Sequence, residues 1–265
     1  MIALRKIAAM LLLVLLLASF GAWLRNGDSY ARQHRETPQA QVSWRFPLGT
    51  DDLGRDRLAR LLHGTWISLA LAPAASLLST LIAALFGGLA GYAGGAWDHA
   101  LSRAIDLMLS LPWLFLLIAV RALLPLNVAA ATSILVTYGL LAALGWAGPA
   151  RVVRAAVKSL IEADFVLQNH ASGMRPARLF WRQIVPNLRP GLLAQFWISV
   201  PMFVVGEANL GLLGLSVSGY PTWGNLLHEL ARQLVFRPEA LAPLILVTLA
   251  IACFKAALPL ETSRV

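Results

Sequence analysis

Residues 7–24, "IAAMLLLVLLLASFGAWL", carry no charge and follow the basic pair Arg5–Lys6. About 20 apolar residues let a helix cross the hydrocarbon core of a bilayer. Backbone in lipid must satisfy its own hydrogen bonds, so such a run has to be helical. Further runs follow at about 66–90, 104–124, 129–150, 191–215 and 239–260. Together they predict an all-α, polytopic membrane protein with about six transmembrane helices. A cleaved signal peptide is the rival reading of the first run. Its apolar core would be about 7–15 residues, with small residues at a cleavage site. This run is longer and ends in Trp23–Leu24–Arg25, which favours an uncleaved span.

Composition agrees. The chain is 58% hydrophobic and 13% charged, where soluble domains carry about 25% charged residues. The net charge of +9 would suggest nucleic acid in a soluble protein. No basic groove with interleaved aromatics stands out, so membrane lipid is the expected partner and nucleic acid is not. Cys253, the sole cysteine, lies in an apolar run and reads as a packing residue. Pro73, Pro112, Pro201 and Pro243 fall within the apolar runs and read as sites of kinking and close packing. Basic residues divide almost evenly between alternate loops, so charge alone leaves the orientation open.

The loop at about 151–190 interrupts this pattern with Arg175, Arg178, Arg182 and Arg189. It reads as two short helices around a turn. Ala155 to Gln168 forms the first, and Gly173 supplies the left-handed residue that ends it. Pro176 suits the first turn of the second, which runs through "ARLFWRQIV" until Pro186 stops it. Leu179, Phe180 and Ile184 fall on one side of that helix, and Arg178 and Arg182 on another. An amphipathic helix of this kind either lies on lipid or seats in a groove of a partner.

"DFVLQNHASG…RQIVPN" resembles the EAA loop of bacterial ABC-transporter permeases, in which a proline follows a glycine by thirteen residues, as Pro186 follows Gly173. Two more stretches are similar to the second permease subunit of dipeptide, oligopeptide and nickel importers. These are "FPLGTDDLGRDRLARLLHGTWISL" (46–69) and "GEANLGLLGLSVSGYPTWGNLL" (206–227); "GGLAGYAGG" and "AIDLMLSLPWL" also fit. The sequence departs from the pattern where Gln168 and Asn169 replace the two alanines of the EAA triplet, and where the C-terminus reads "FKAALPLETSRV".

The resemblance implies a type I ABC importer permease fold. Residues 1–65 would be an N-terminal helix and periplasmic segment, and residues 66–265 a five-helix permease core. It implies a cytoplasmic EAA loop whose second helix couples to an ATPase through Gln168, Asn169, Gly173, Arg175, Arg178, Arg182 and Pro186. Implied partners are a homologous second permease, two ABC ATPase subunits or domains, and a periplasmic or lipid-anchored solute-binding protein. The place implied is the bacterial inner membrane, and the cargo peptide, with nickel or another small solute as alternatives. The sequence contains no G-x-x-x-x-G-K-[ST] phosphate loop. ATP and magnesium would belong to the partner subunits, and no catalytic or metal site is expected here.

Glu207 lies inside the fifth span, where a carboxylate costs about 2.5–3.5 kcal/mol and marks a functional position. Structure or gating and direct cargo contact are both open to it. Asp106 reads as a charge at a helix N-terminus, and Lys255 as a residue reaching for the membrane surface. His63 and His228 lack partners at metal-ligand spacing. Asp51, Asp52 and Asp56 among Arg55, Arg57 and Arg60 suggest a solvated, internally paired outer segment. A membrane-embedded hydrolase is the rival class, but Ser68, Ser76 and Ser110 have no in-membrane histidine to act as base.

Overall fold

The fold is seen in a computed structural model, which describes residues 2–25, 29–123, 129–215, 220–232 and 237–257. Among them the regular elements are all helices, and the segment 29–56 is made of turns with two isolated β-bridges. In order come α1 (Ile2–Arg25), α2 (Arg57–Ala93), α3 (Gly95–Ser110), α4 (Trp113–Leu123), α5 (Ala130–Gly145) and α6 (Ala147–Ile161). Next are α7 (Asp164–Ala171), α8 (Pro176–Leu179), a π-helical turn (Phe180–Ile184) and α9 (Val185–Leu212). The chain continues with α10 (Trp223–Ala231), a 3₁₀ turn (Pro238–Leu241) and α11 (Ala242–Ala257). The extreme ends of the expected third and sixth spans, and the stretch after Ala257, lie outside the described residues.

Two compact units are interleaved along the chain. One is built from Met1–Ala74, Val120–Tyr138 and Val200–Leu258. In it α1 packs along α11, and Trp23, Phe20 and Trp66 stack on one another. The other takes in Ala75–Ala119 and Gly139–Ser199. There Ile105 of α3 is buried against Ala83, Ala147 and Ala150. Cys253 is buried, as a packing residue should be.

Five helical stretches are long and apolar enough to span, and the bent pair α3–α4 makes a sixth if it is counted as one. The third expected span, 104–124, is therefore not a single helix. It begins earlier, at Gly95, and turns by 84° between Ser110 and Trp113. Pro112 is the cause: it disfavours helical geometry at Leu111, which is extended at φ −89° and ψ 131°.

Two details of the loop after α5 differ from expectation. The helix expected over Ala155–Gln168 breaks at Glu162–Ala163, where α6 is capped and α7 starts anew with Asp164 in its first turn. Pro186 does not end its helix. The preceding turn widens to π geometry, with the Val185 N–H donating to the Phe180 carbonyl, and α9 continues unbroken to Leu212. A proline ring clashes with the carbonyl four residues back and lacks an N–H to bond it. A π turn shifts the bonding pattern by one residue and relieves both.

Candidate functional site

The hairpin between α6 and α9 has its own core. Val153 and Val157 of α6, Val166 of α7, Leu179, Ile184 and Leu188 are buried together. The apolar side expected from Leu179, Phe180 and Ile184 is therefore the inward one, with Phe180 half-buried beside it. The turn is a helix C-terminal motif in which the Met174 N–H donates to the Asn169 carbonyl at 3.2 Å, spanning Gly173 at φ +78°. Glycine is needed there for its backbone, not for space: a Cβ at Gly173 would meet nothing within 4 Å. Asn169, in place of an alanine, turns its side chain back to donate to the Phe165 carbonyl at 2.6 Å. Asn169 is half-buried, as is Pro186, whereas Gln168 points outward.

Two sets of contacts hold the hairpin to its surroundings in the same unit. The Tyr92 hydroxyl, at the end of α2, donates to the Pro176 carbonyl at 2.8 Å, and its ring meets Phe180 edge-on at 4.9 Å. Asp98 of α3 is buried and accepts from three donors of α6. Arg154 binds it bidentately (2.5 and 2.9 Å), and Lys158 Nζ approaches to 2.5 Å. Asp106, expected as a helix-terminal charge, lies well inside α3 and pairs with Arg151 at 2.5 Å.

The outward side of the hairpin presents Arg175, Arg178, Arg182 and Arg189, all exposed and without an ion-pair partner among the described residues. Between them stand apolar side chains that composition did not single out. Phe165 is 39%, Leu167 53% and Trp181 68% exposed. Trp181 could have been found from helical phase, since it lies three residues from Arg178 and shares its side. A face mixing arginine with exposed aromatic and aliphatic groups has the composition of a protein-binding surface.

The family described as "binding-protein-dependent transport system inner membrane component" matches residues 83–260. The chain belongs to that family. It is a multi-pass membrane component of a transport system, not an enzyme. A dipeptide transport system permease protein of Bacillus subtilis (strain 168) is 30% identical over 223 residues, covering 83% of this chain and 67% of that one. A di/tripeptide transport system permease protein of Pseudomonas aeruginosa (strain UCBPP-PA14) is 32% identical over 234 residues, covering 86% and 75%. An oligopeptide transport system permease protein of Bacillus subtilis (strain 168) is 29% identical over 231 residues, covering 86% and 73%.

Within this transport component, Glu207 occupies the middle of a second constellation. It is buried in α9, and its Oε2 accepts the Gly224 N–H at 2.9 Å. Gly224 lies in the first turn of α10, after Trp223, and the Asn225 N–H donates to the hydroxyl of Thr222, the N-cap, at 3.2 Å. Trp223 is fully buried and donates its Nε1–H to the Thr65 hydroxyl of α2 at 3.1 Å. Glu207 thus caps a helix supplied by another part of the chain, its carboxyl oxygen satisfying an N–H of the first turn. Gly224 permits this approach, because a Cβ there would collide with the Glu207 carboxylate and backbone.

The outer segment is internally paired as expected but not fully solvated. Asp51 and Arg60 are buried; Arg55 Nε contacts Asp51 at 2.6 Å, and Arg60 pairs with Glu229. Burial pushes the Glu229 carboxyl up, and the neighbouring Arg60 and Arg55 guanidiniums oppose that shift.

Proposed function

We propose that this chain is a permease subunit of an ATP-driven importer that carries short peptides across the bacterial inner membrane. The peptide cargo is supported by the relatives, whose names specify dipeptide, di/tripeptide and oligopeptide transport. The N-terminal helix and outer segment, 1–65, precede a permease core, 66–265, that lines half of the pathway beside a homologous second permease. Two ABC ATPase subunits or domains, binding ATP and magnesium, work on the cytoplasmic side. A solute-binding protein delivers cargo on the other.

The observation that carries this reading is the hairpin at 151–190. It is rigid inside, fastened to α2 and α3, and displays arginines and apolar groups outward. Such a body can pass a partner's displacement into α6 and α9, which continue directly from it. Gln168, Gly173, Arg175, Arg178 and Arg182 form the ATPase-facing surface, while Asn169 and Pro186 shape its turn and exit. Glu207 serves by fixing α10 against α9.

The test is a charge reversal. Arg178→Glu in the purified complex weakens ATPase attachment more at low than at high ionic strength, because repulsion between like charges is screened by salt. Attachment that is unchanged at every salt concentration would remove Arg178 from the interface.

A further inference from the structure

The turn between α3 and α4 interrupts a helix inside the apolar run 104–124, and everything from Gly95 to Ala119 belongs to one compact unit. Within that unit α3 runs against α6 in the opposite direction. Asp98 pairs with Arg154 and Lys158, whereas Ile105 is buried against Ala147 and Ala150. Ala147 lies near the middle of the apolar stretch Ala130–Ile161. Ser110 stands about 7.5 Å further along α3 than Ile105, so the break falls at mid-depth. That depth is the same whether the bent pair crosses the bilayer or re-enters it.

Leu111 is extended there (φ −89°, ψ 131°), and neither its N–H nor its carbonyl has a hydrogen-bond partner among the described residues. The Met108 carbonyl lacks one too, because the residue four places on is Pro112, which carries no N–H. The Ser110 hydroxyl satisfies none of these groups, since it donates to the Leu107 carbonyl at 2.7 Å. The break is open: Ser110 and Pro112 are exposed, Leu111 is 46% and Phe115 69% exposed. Irregular backbone at membrane depth does not face lipid; it is buried in protein or lines a water-filled cavity. In secondary transporters, broken helices put such backbone at the cargo. We propose that the break at Ser110–Pro112 lines the aqueous pathway of this permease, and that the Leu111 backbone pairs with the backbone of a passing peptide. An extended residue turns its N–H and C=O to the same side, so one extended residue of cargo can exchange two hydrogen bonds with it. Peptides of different sequence share that backbone and little else, which suits a contact made without a side chain. The assignment rests on the peptide reading of the transport system.

The test places single cysteines, in a Cys253→Ser background, in the complete transporter with its ATPase subunits and binding protein, in nanodiscs open to reagent on both faces. A charged methanethiosulfonate reacts with thiolate, which forms in water and not in lipid. Ser110→Cys and Leu111→Cys therefore react at least about tenfold faster than Leu13→Cys, on the exposed apolar side of α1. During ATP-driven turnover, trialanine at a concentration that saturates the binding protein slows the reaction of Ser110→Cys, by about twofold where the break is half occupied. Trialanine methylated on both peptide nitrogens protects less at equal occupancy of the binding protein. Reaction of both cysteines as slow as that of Leu13→Cys overturns the pathway assignment, whether lipid or the second permease covers the break. Equal protection by the two peptides, or none by either, overturns the backbone pairing. Peptide uptake, measured in parallel in cells, separates the two readings. Uptake with an unreactive break removes the break from the pathway and leaves the transport function standing; a reactive break without peptide uptake removes the peptide reading and the pairing with it.

Discussion

Glu207 Oε2 accepts the Gly224 N–H at 2.9 Å, so a carboxylate inside the fifth span holds the first turn of α10. A hydrogen bond of this kind contributes about 0.5–1.5 kcal/mol, and leaving the buried donor unsatisfied costs about 1–3 kcal/mol. Glu207→Gln keeps an acceptor for that N–H and is expected to retain most assembled complex on a native gel. Glu207→Ala removes it, lowering both the melting temperature and the yield of complex. Equal assembly of the two variants with loss of uptake in both would move Glu207 from a structural role to contact with cargo.

Asp98 fastens α3 to the hairpin's first helix through Arg154 and Lys158. Asp98→Asn leaves two cations of α6 without their carboxylate. The loss is about 1–2 kcal/mol, below that of a fully buried pair because the Lys158 side chain is 43% exposed. Amide exchange in α3 and α6 should rise in the variant while α1 and α11 keep wild-type protection. Unchanged exchange in α3 would show that apolar packing around Ile105 suffices to hold the two helices together.

The sequence displays the spans because lipid demands length and apolarity, and both are local properties. It displays the hairpin turn for a similar reason: Gly173 and Pro176 act on their own backbone. Asp98 stayed hidden because its partners lie more than fifty positions away, and nothing local marks an aspartate as their acceptor. The same holds for Arg60 and Glu229, 169 positions apart, whereas Glu207 was marked by its charge and only its partner Gly224, 17 positions on, was not. Pro186 misled for a different reason. A proline ends a helix only where the helix cannot reorganise, and the π turn at Phe180–Ile184 is a reorganisation that pattern reading has no means to anticipate. Pro112 had no such escape, and its helix broke.

Topology gives a separate test. In a Cys253→Ser background, Ser172→Cys on the hairpin and Val42→Cys after α1 are both exposed positions. Six spans with a cytoplasmic hairpin require the cysteine at 42 to react with an impermeant thiol reagent in intact cells, and the one at 172 to react only after permeabilisation. Labelling of both in intact cells would mean that α3–α4 does not cross.

Gly173 offers the sharpest test of the hairpin, because its φ of +78° and the open space around its Cβ separate backbone strain from crowding. Asparagine visits the left-handed region at modest cost, whereas a β-branched residue there is a genuine outlier. Gly173→Asn should therefore retain most coupled activity. Gly173→Val pays at least about 1–2 kcal/mol to keep the turn, or abandons it and lets Leu179 of α8 leave the core it shares with Val157 and Val166. The spans are untouched in either case, so membrane insertion and pairing with the second permease should match wild type in both variants. Peptide uptake and cargo-stimulated ATP hydrolysis should fall together in Gly173→Val and survive in Gly173→Asn. Equal loss in the two variants would point to the missing hydrogen of glycine, at a surface pressed against the ATPase, and not to the turn. Wild-type coupling in Gly173→Val would take the hairpin out of the coupling pathway altogether.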